Sequence, residues 1–184
     1  MFIQTEQTPN PRTLKFLPGQ PVMADGTAEF KLGDDVSLSP LAQKVFSIND
    51  VHAVFFGADF ISVTIDDAAD WQLVRPMVLA AIMDHYATGL PVMSVSGAAP
   101  APRTLPDDDI SRQIIAIIDE RVRPAVAQDG GDILFDRFED GIVYLHMRGA
   151  CAGCPSSAAT LKNGIENMLK HFVPEVVEVR AAHD

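Results

Sequence analysis

The hydrophobic positions of the chain follow strand-like and helix-like spacings in turn. In its first half, TLKF alternates as a strand does, while VHAVFF and FISVTI flank Gly-Ala-Asp (57–59) as the arms of a hairpin. Ser39 and Pro40 predict the start of a short helix that ends near Phe46, and Asp70 predicts the cap of a second helix. The apolar residues of this second helix recur near helical spacing, at Trp71, Val74, Val78, Ala81 and Ile82.

The second half repeats helices and strands in a different order. Three aspartates at 107–109 favour a helix start through the helix dipole, and Pro124 is expected to perturb or end that helix. ILFDRF and IVYLHM flank Glu-Asp-Gly (139–141) as a second hairpin. A further helix and a short strand, VVEV at 176–179, follow. The order α-β-β-α-β predicts a three-stranded sheet covered by two helices.

A segment rich in proline and small residues, LPVMSVSGAAPAPRTLP, separates the two halves and has the composition of a linker. We therefore predict an α+β protein of two small domains. The first domain covers 1–90, a flexible linker covers 91–106, and the second domain covers 107–184.

Composition restricts the partners of the chain. Its 184 residues are 47% hydrophobic, which is enough to give each domain a core. The formal net charge is −11 and no basic block exists, so we expect no nucleic-acid binding. We also expect no membrane association, because an acidic surface is unfavourable near anionic lipid and no apolar run approaches the roughly 20 residues of a membrane span.

The N-terminus and the cysteine content indicate a compartment. The first ten residues contain no lysine or arginine and include Glu6, which argues against a secretory signal and an arginine-rich transit peptide. The chain has two cysteines, too few for a disulfide framework. These features predict a soluble protein of the bacterial cytoplasm, in preference to a processed organellar matrix protein.

The two cysteines, Cys151 and Cys154, are the strongest candidates for chemistry. They form a C-x-x-C directly before Pro155, a residue type favoured at the first position of a helix. Cys154 is therefore expected at the helix N-cap, with Cys151 just outside it. Because the free N–H groups and the dipole of a helix start stabilise negative charge, we expect both thiols to ionise more readily than free cysteine.

Several chemistries fit this pair. An iron–sulfur cluster requires about four thiolates, so a second copy of the chain, related by a two-fold axis, would supply the other half. A dithiol oxidoreductase also uses C-x-x-C at a helix start, but in that fold the motif follows a strand of a βαβ unit, whereas here it follows an antiparallel hairpin. Zinc bound by four cysteines of a dimer, or two buried structural cysteines, also remain open. The pattern favours the cluster.

Other polar residues carry weaker signals. His146 is expected to be packed or solvated, not a ligand, and Arg148 to be solvated, although it could offset the charge of an anionic cluster. Asp129 and Asp132 flank a Gly-Gly turn and are expected to serve turn geometry. The rigid turn Pro-Asn-Pro (9–11) is expected to be structural. No catalytic triad, phosphate loop or carboxylate pair is recognisable, so we do not expect an enzyme.

Two parts of the sequence resemble one known family. GACAGCPSSAATLKNGIE (149–166) resembles the C-terminal domain of the NifU-like (Nfu-type) iron–sulfur scaffold proteins, and RPAVAQDGGDI (123–133) is similar to the segment before its hairpin. The opening MFIQTEQTPNPRTLKFLPG, with SPLAQKVF and VFFGADFISVTI, is similar to the N-terminal domain often paired with it.

The resemblance implies a carrier that holds a [4Fe–4S] cluster, or alternatively a [2Fe–2S] cluster, between two C-terminal domains. Cys151 and Cys154 would be its iron ligands. The protein would receive clusters from upstream donors, form a homodimer when loaded, and pass clusters to apo iron–sulfur client proteins. The separate cysteine-bearing scaffold and ferredoxin domains of full-length NifU have no counterpart here, which implies transfer downstream of cluster assembly.

Overall fold

A computed structural model describes residues 1–94, 106–152 and 155–182, with only the backbone for 155–158. The chain divides into two compact units, Met1–Pro102 and Arg103–Asp184. Each unit combines helices with a β-sheet, so the predicted α+β class is confirmed.

The first unit is a five-stranded antiparallel sheet with two helices. Its strands are β1 (Gln4–Gln7), β2 (Thr13–Leu17), β3 (Ala28–Lys31), β4 (Val51–Phe56) and β5 (Ile61–Ile65), and its helices are α1 (Pro40–Phe46) and α2 (Trp71–Thr88). The strand order is β1-β2-β5-β4-β3, which leaves β1 and β3 at the two edges. The predicted hairpin is β4 and β5.

Local signals set both helix starts of this unit. The Ser39 hydroxyl accepts a hydrogen bond from the Ala42 amide (3.1 Å), and the Asp70 carboxylate accepts one from the Gln72 amide (2.8 Å). Both predicted caps are therefore confirmed. The helices bury their apolar faces against the sheet in a core whose fully buried members include Phe16, Leu41, Val45, Val54, Val74, Val78 and Ile82.

One buried residue of α2 is polar. His85 is 0% exposed, and neither ring nitrogen has a hydrogen-bond partner among the described residues. Burial, reinforced by the positive charge of Lys44, lowers the pKa of His85 because the charged imidazolium loses its hydration. This histidine is therefore a neutral part of the packing.

The first unit continues beyond its predicted boundary at residue 90. The side chain of Val92 packs into the core, and its carbonyl accepts a hydrogen bond from the Ser39 hydroxyl (2.7 Å). The Ser94 amide donates to the Leu38 carbonyl (2.7 Å). The start of the predicted linker therefore belongs to the first unit, and its central part, 95–105, lies outside the described residues.

The second unit has the predicted α-β-β-α-β order. It consists of α3 (Asp109–Ile117), a π-helical turn (Ile118–Val122), α4 (Arg123–Gln128), β6 (Gly131–Glu139), β7 (Ile142–Gly149), α5 (Pro155–Phe172) and β8 (Glu178–Ala181). Strand β7 lies in the centre, antiparallel to β6 and parallel to β8. The core residues of this unit that are almost inaccessible include Ile114, Ile118, Ile133, Leu145 and Leu169.

The sequence predicts that Pro124 perturbs or ends the helix that starts near Asp109. Pro124 does not end it, because helical turns continue to Gln128. A proline lacks the N–H group that bonds within a helix, and its ring collides with the carbonyl four residues earlier. The chain accommodates the proline by widening into the π-helical turn directly before α4.

Across the described ranges, no helix combines the length and apolar character needed to cross a membrane.

Candidate functional site

Cys151 lies where the central strand of the second unit gives way to the connection with α5. Strand β7 ends at Gly149, whose φ of +63° is in the left-handed region that favours glycine. The Ala150 amide donates to the Gly130 carbonyl (3.1 Å), and the Ala152 amide donates to the Gly149 carbonyl (3.1 Å). These bonds tie the cysteine to the start of β6, and Cys151 is only 6% exposed.

The thiol of Cys151 lies directly over the backbone of Gly131. A Cβ atom at Gly131 would lie 2.5 Å from the Cys151 Sγ and 2.8 Å from the Arg148 carbonyl oxygen. Both separations are shorter than any real Cβ contact, so only glycine leaves room for the thiol here. The sequence signal for this contact is the Gly-Gly pair at 130–131. Its second glycine, Gly131, allows the close approach of the thiol in addition to its place beside the turn.

Burial raises the pKa of the Cys151 thiol to about 12, and the negative charges of Asp129 and Asp132 add to this effect. The expectation that this thiol ionises readily is therefore wrong. The thiol packs among apolar side chains beside carboxylates, an environment that disfavours its charged form. Cys154 lies outside the described residues, and so does its predicted N-cap position.

Asp132 does more than shape a turn. It is 4% exposed and forms a two-pronged ion pair with Arg123, at 2.8 Å from Nε to Oδ1 and 3.0 Å from Nη2 to Oδ2. The hydrogen bonds that Arg123 donates to Asp132 are the main reason that the pKa of Arg123 is raised. The pair holds the first residues of β6 against the start of α4. It could not be predicted from the sequence, because no local pattern links two residues nine positions apart.

The comparisons with known proteins address both units. Residues 3–89 match the model of the scaffold protein Nfu/NifU N-terminal domain, and residues 114–180 match the NifU-like domain. The chain is 46% identical over 185 residues to the mitochondrial NFU1 iron–sulfur cluster scaffold homolog of Homo sapiens, covering 100% of this chain and 73% of that protein. The chain belongs to the NifU-like Nfu family.

A second relative agrees with this assignment. The corresponding Drosophila ananassae protein, also named a mitochondrial NFU1 iron–sulfur cluster scaffold homolog, is 48% identical over an alignment of 186 positions, which covers 100% of this Nfu chain and 65% of that protein. The Nfu chain thus spans about two thirds of the length of the curated relatives it matches. The solution structure of a NifU-like protein from Saccharomyces cerevisiae is 27% identical over 51% of this chain and 85% of that chain, with a TM-score of 0.47.

These relatives correct one prediction. Proteins that match the Nfu chain over its full length, at 46–48% identity, carry the word mitochondrial in their names. The predicted assignment to the bacterial cytoplasm is therefore wrong. The absence of basic residues from the first ten positions was its basis, and that feature was not a sound guide to the compartment.

Two further candidates, His146 and Arg148, lie on β7, the strand that precedes Cys151. The His146 Nε2 lies 3.3 Å from the Asp136 Oδ1, and the histidine side chain is 34% exposed. Arg148 lies opposite Asp132 in the strand register, is half-buried, and has no ion-pair partner among the described residues. Within that same part of the chain, no three His, Cys, Asp or Glu side chains converge as a metal site. Neither His146 nor Arg148 therefore adds a described ligand to Cys151.

Proposed function

We propose that this Nfu protein carries an iron–sulfur cluster, bound through Cys151 and Cys154 of two copies of the chain, and passes it to apo iron–sulfur proteins. The observation that carries the proposal is the Cys151 thiol seated against Gly131, within the segment that matches the NifU-like domain. Cys154 follows three positions later in the sequence. The names of the relatives, which describe iron–sulfur cluster scaffolds, support the same function.

Ligand number favours a shared cluster of the [4Fe–4S] type. Such a cluster takes about four thiolates, and the chain has only two cysteines. Two copies related by a two-fold axis supply the full set, each contributing Cys151 and Cys154 equivalently. Loading with a cluster would then join two chains into a homodimer, and release would separate them.

The charges around Cys151 favour release of a bound cluster. Asp129 lies close enough to affect the thiol electrostatically, and it has no ion-pair partner among the described residues. A negative charge beside an anionic cluster weakens its retention, whereas a nearby cation would strengthen it. A protein that hands its cluster on benefits from such moderate retention.

The competing function, a dithiol oxidoreductase, requires one thiol to attack a disulfide as a thiolate. The raised pKa of the Cys151 thiol disfavours that attack, whereas a bound iron ion would itself supply the positive charge that stabilises a thiolate ligand. The two functions also differ in symmetry. An oxidoreductase gives its two cysteines unequal roles, whereas a bridging cluster uses both as equivalent ligands.

The test is anaerobic reconstitution of Cys151→Ser and Cys154→Ser, followed by transfer to apo-aconitase. Each variant leaves at most two cysteine thiolates per dimer, so both should lose stable cluster binding and activation of the acceptor. Ala152→Ser, a change in the same loop that keeps both thiols, is the matched control and should retain both. Full transfer by either cysteine variant, or efficient reduction of insulin disulfides by the cluster-free wild type, would refute the proposal.

A further inference from the structure

A cleft of about 880 Å³ lies in the first unit, which contains no cysteine. Its walls are the edge strand β1, the turn between β1 and β2, and the first turns of α2. Amide and hydroxyl groups dominate its lining, which includes Thr5, Gln7, Thr8, Asn10 and Gln72. The volume is in the range of ligand-binding clefts, and the proposed cluster chemistry makes no use of it.

The turn that forms one wall of the cleft is internally bonded. The Thr8 hydroxyl lies 2.9 Å from the carbonyl oxygens of both Asn10 and Thr13. The Asn10 side-chain oxygen accepts a hydrogen bond from the Arg12 amide (3.0 Å), and Asn10 is 1% exposed. The wall is therefore formed before any ligand arrives, which lowers the entropic cost of binding.

The strand that lines the cleft has one free edge. β1 is terminal in the sheet and pairs only with β2, in an antiparallel register that sets Thr5 opposite Phe16. Alternate N–H and C=O groups of such a strand point away from its partner and remain available. An extended peptide can bind them as an additional strand.

The two ionic side chains in the cleft differ in their partners. The carboxylate of Glu6 lies 3.6 Å from Lys15 Nζ and accepts a hydrogen bond from the Gln4 side chain (3.2 Å). Arg75 is exposed and has neither an ion pair nor a hydrogen bond among the described residues. The uncompensated charge of the cleft is therefore positive.

We propose that this cleft binds an extended acidic segment of a partner protein. The segment pairs with the free edge of β1 and places a carboxylate against the Arg75 guanidinium. The planar fork of an arginine is suited to two parallel hydrogen bonds with a carboxylate. The proposal adds a protein-recognition site to the first unit and is independent of cluster binding.

The chain's own central segment is a poor occupant. Residues 95–105, VSGAAPAPRTL, contain no aspartate or glutamate to pair with Arg75. They include Pro100 and Pro102, which lack the N–H groups that strand pairing requires. A carboxylate-bearing segment without proline fits the cleft better on both counts.

Trp71 provides the readout, because it is the only tryptophan of the chain and lines the cleft. The probes are five acetylated pentapeptides of alternating valine and threonine, each with one glutamate at a different position, together with their glutamine counterparts. We expect at least one glutamate peptide to shift the Trp71 emission. Arg75→Gln should weaken its binding about tenfold, the usual scale for a lost charge-assisted hydrogen-bond pair.

The control variant is Lys31→Gln, which removes an exposed positive charge from β3 at the opposite edge of the sheet and should leave binding unchanged. Methylation of alternate amides along one edge of the best peptide should abolish binding, because the methyl groups block strand pairing. Four results would each overturn the proposal: no binding by any glutamate peptide, equal binding of the glutamine peptides, retained binding of the methylated peptide, or self-association of the chain that Arg75→Gln removes.

Discussion

The two units both place a helix after the second strand of a hairpin, but they build the connection differently. In the first unit, five residues between β5 and α2 bond with their own surroundings: the Asp66 amide donates to the Asp50 carbonyl (3.0 Å), and Asp70 caps the helix. In the second unit, the described part of the connection between β7 and α5 contains a buried thiol, Cys151, resting on the bare backbone of Gly131.

This difference shows that the architecture does not assign the chemistry. In the first unit, the polar groups of this connection bond with neighbouring backbone and side chains, and the unit contains no cysteine. The same arrangement of a hairpin followed by a helix becomes a candidate ligand site in the second unit because the connection carries Cys151 and because Gly131 makes room for its sulfur. The predictions below test how far the second connection depends on residues that the first unit lacks.

The largest effect is expected at the ion pair that anchors the start of β6. Arg123→Leu removes the cation that pairs with the buried carboxylate of Asp132, and removal of one member of such a pair costs about 3 kcal/mol of unfolding free energy. The loss should appear in hydrogen exchange of β6 and in urea unfolding followed by circular dichroism, while the Trp71 emission transition of the first unit stays in place. Arg112→Leu, which breaks an exposed pair with Asp109, should cost less than about 1 kcal/mol. Equal losses in the two variants would contradict the anchoring role of Arg123.

Alanine substitutions at two glycines distinguish an effect on packing from an effect on cluster binding. In Gly131→Ala, the new methyl group collides with the Cys151 sulfur and with backbone, so we expect about 2 kcal/mol of destabilisation together with reduced cluster content after reconstitution. In Gly57→Ala of the first unit, the methyl group would lie 2.3 Å from the Phe60 ring, so stability should fall without any change in cluster content per folded dimer. Gly164→Ala, where the new atom meets nothing within 4 Å, controls for the substitution itself. Normal cluster content in Gly131→Ala would show that cluster binding does not require a glycine at this position.

The smallest predicted effect is a pH-dependent change in the unfolding free energy of the first unit. Because the pKa of His85 is lowered in the folded state, the unfolded chain takes up a proton first as the pH falls below about 6.5. The stability that His85 contributes is present above that pH and declines as the pH decreases, by at most about 0.8 kcal/mol between pH 7.5 and 6.0. Urea unfolding monitored by Trp71 emission should show this decline in the wild type and a smaller one in His85→Leu. Identical pH dependences would contradict a buried neutral His85.

Local signals were sufficient for much of the fold. Ser39, Asp70 and Asp108 each accept a hydrogen bond from a backbone amide at a helix start, and such caps are readable from neighbouring residues alone. The two hairpins were equally readable from alternating apolar residues around short turns. The edge strands β1 and β3 were missed because they are short and polar, and only pairing with β2 and β4 makes them strands.

The features that could not be predicted depend on contacts between distant positions. The identity of the candidate cysteines followed from their spacing, but the protonation state of Cys151 depends on its burial beside Gly131 and Asp129, which lie about twenty residues earlier. The ion pair of Arg123 with Asp132 likewise forms only once α4 and β6 have been brought together. Sequence spacing thus indicates the candidate cysteines, whereas the electrostatic surroundings of Cys151 depend on the fold.

The most direct test of the central claim is native mass spectrometry of the anaerobically reconstituted full chain, without added thiols. A cluster shared through Cys151 and Cys154 predicts a species of two chains with about four iron and about four sulfide ions, and a single chain without iron once the cluster has been removed by a chelator. A single chain that retains a complete cluster on its own two cysteines would contradict the account.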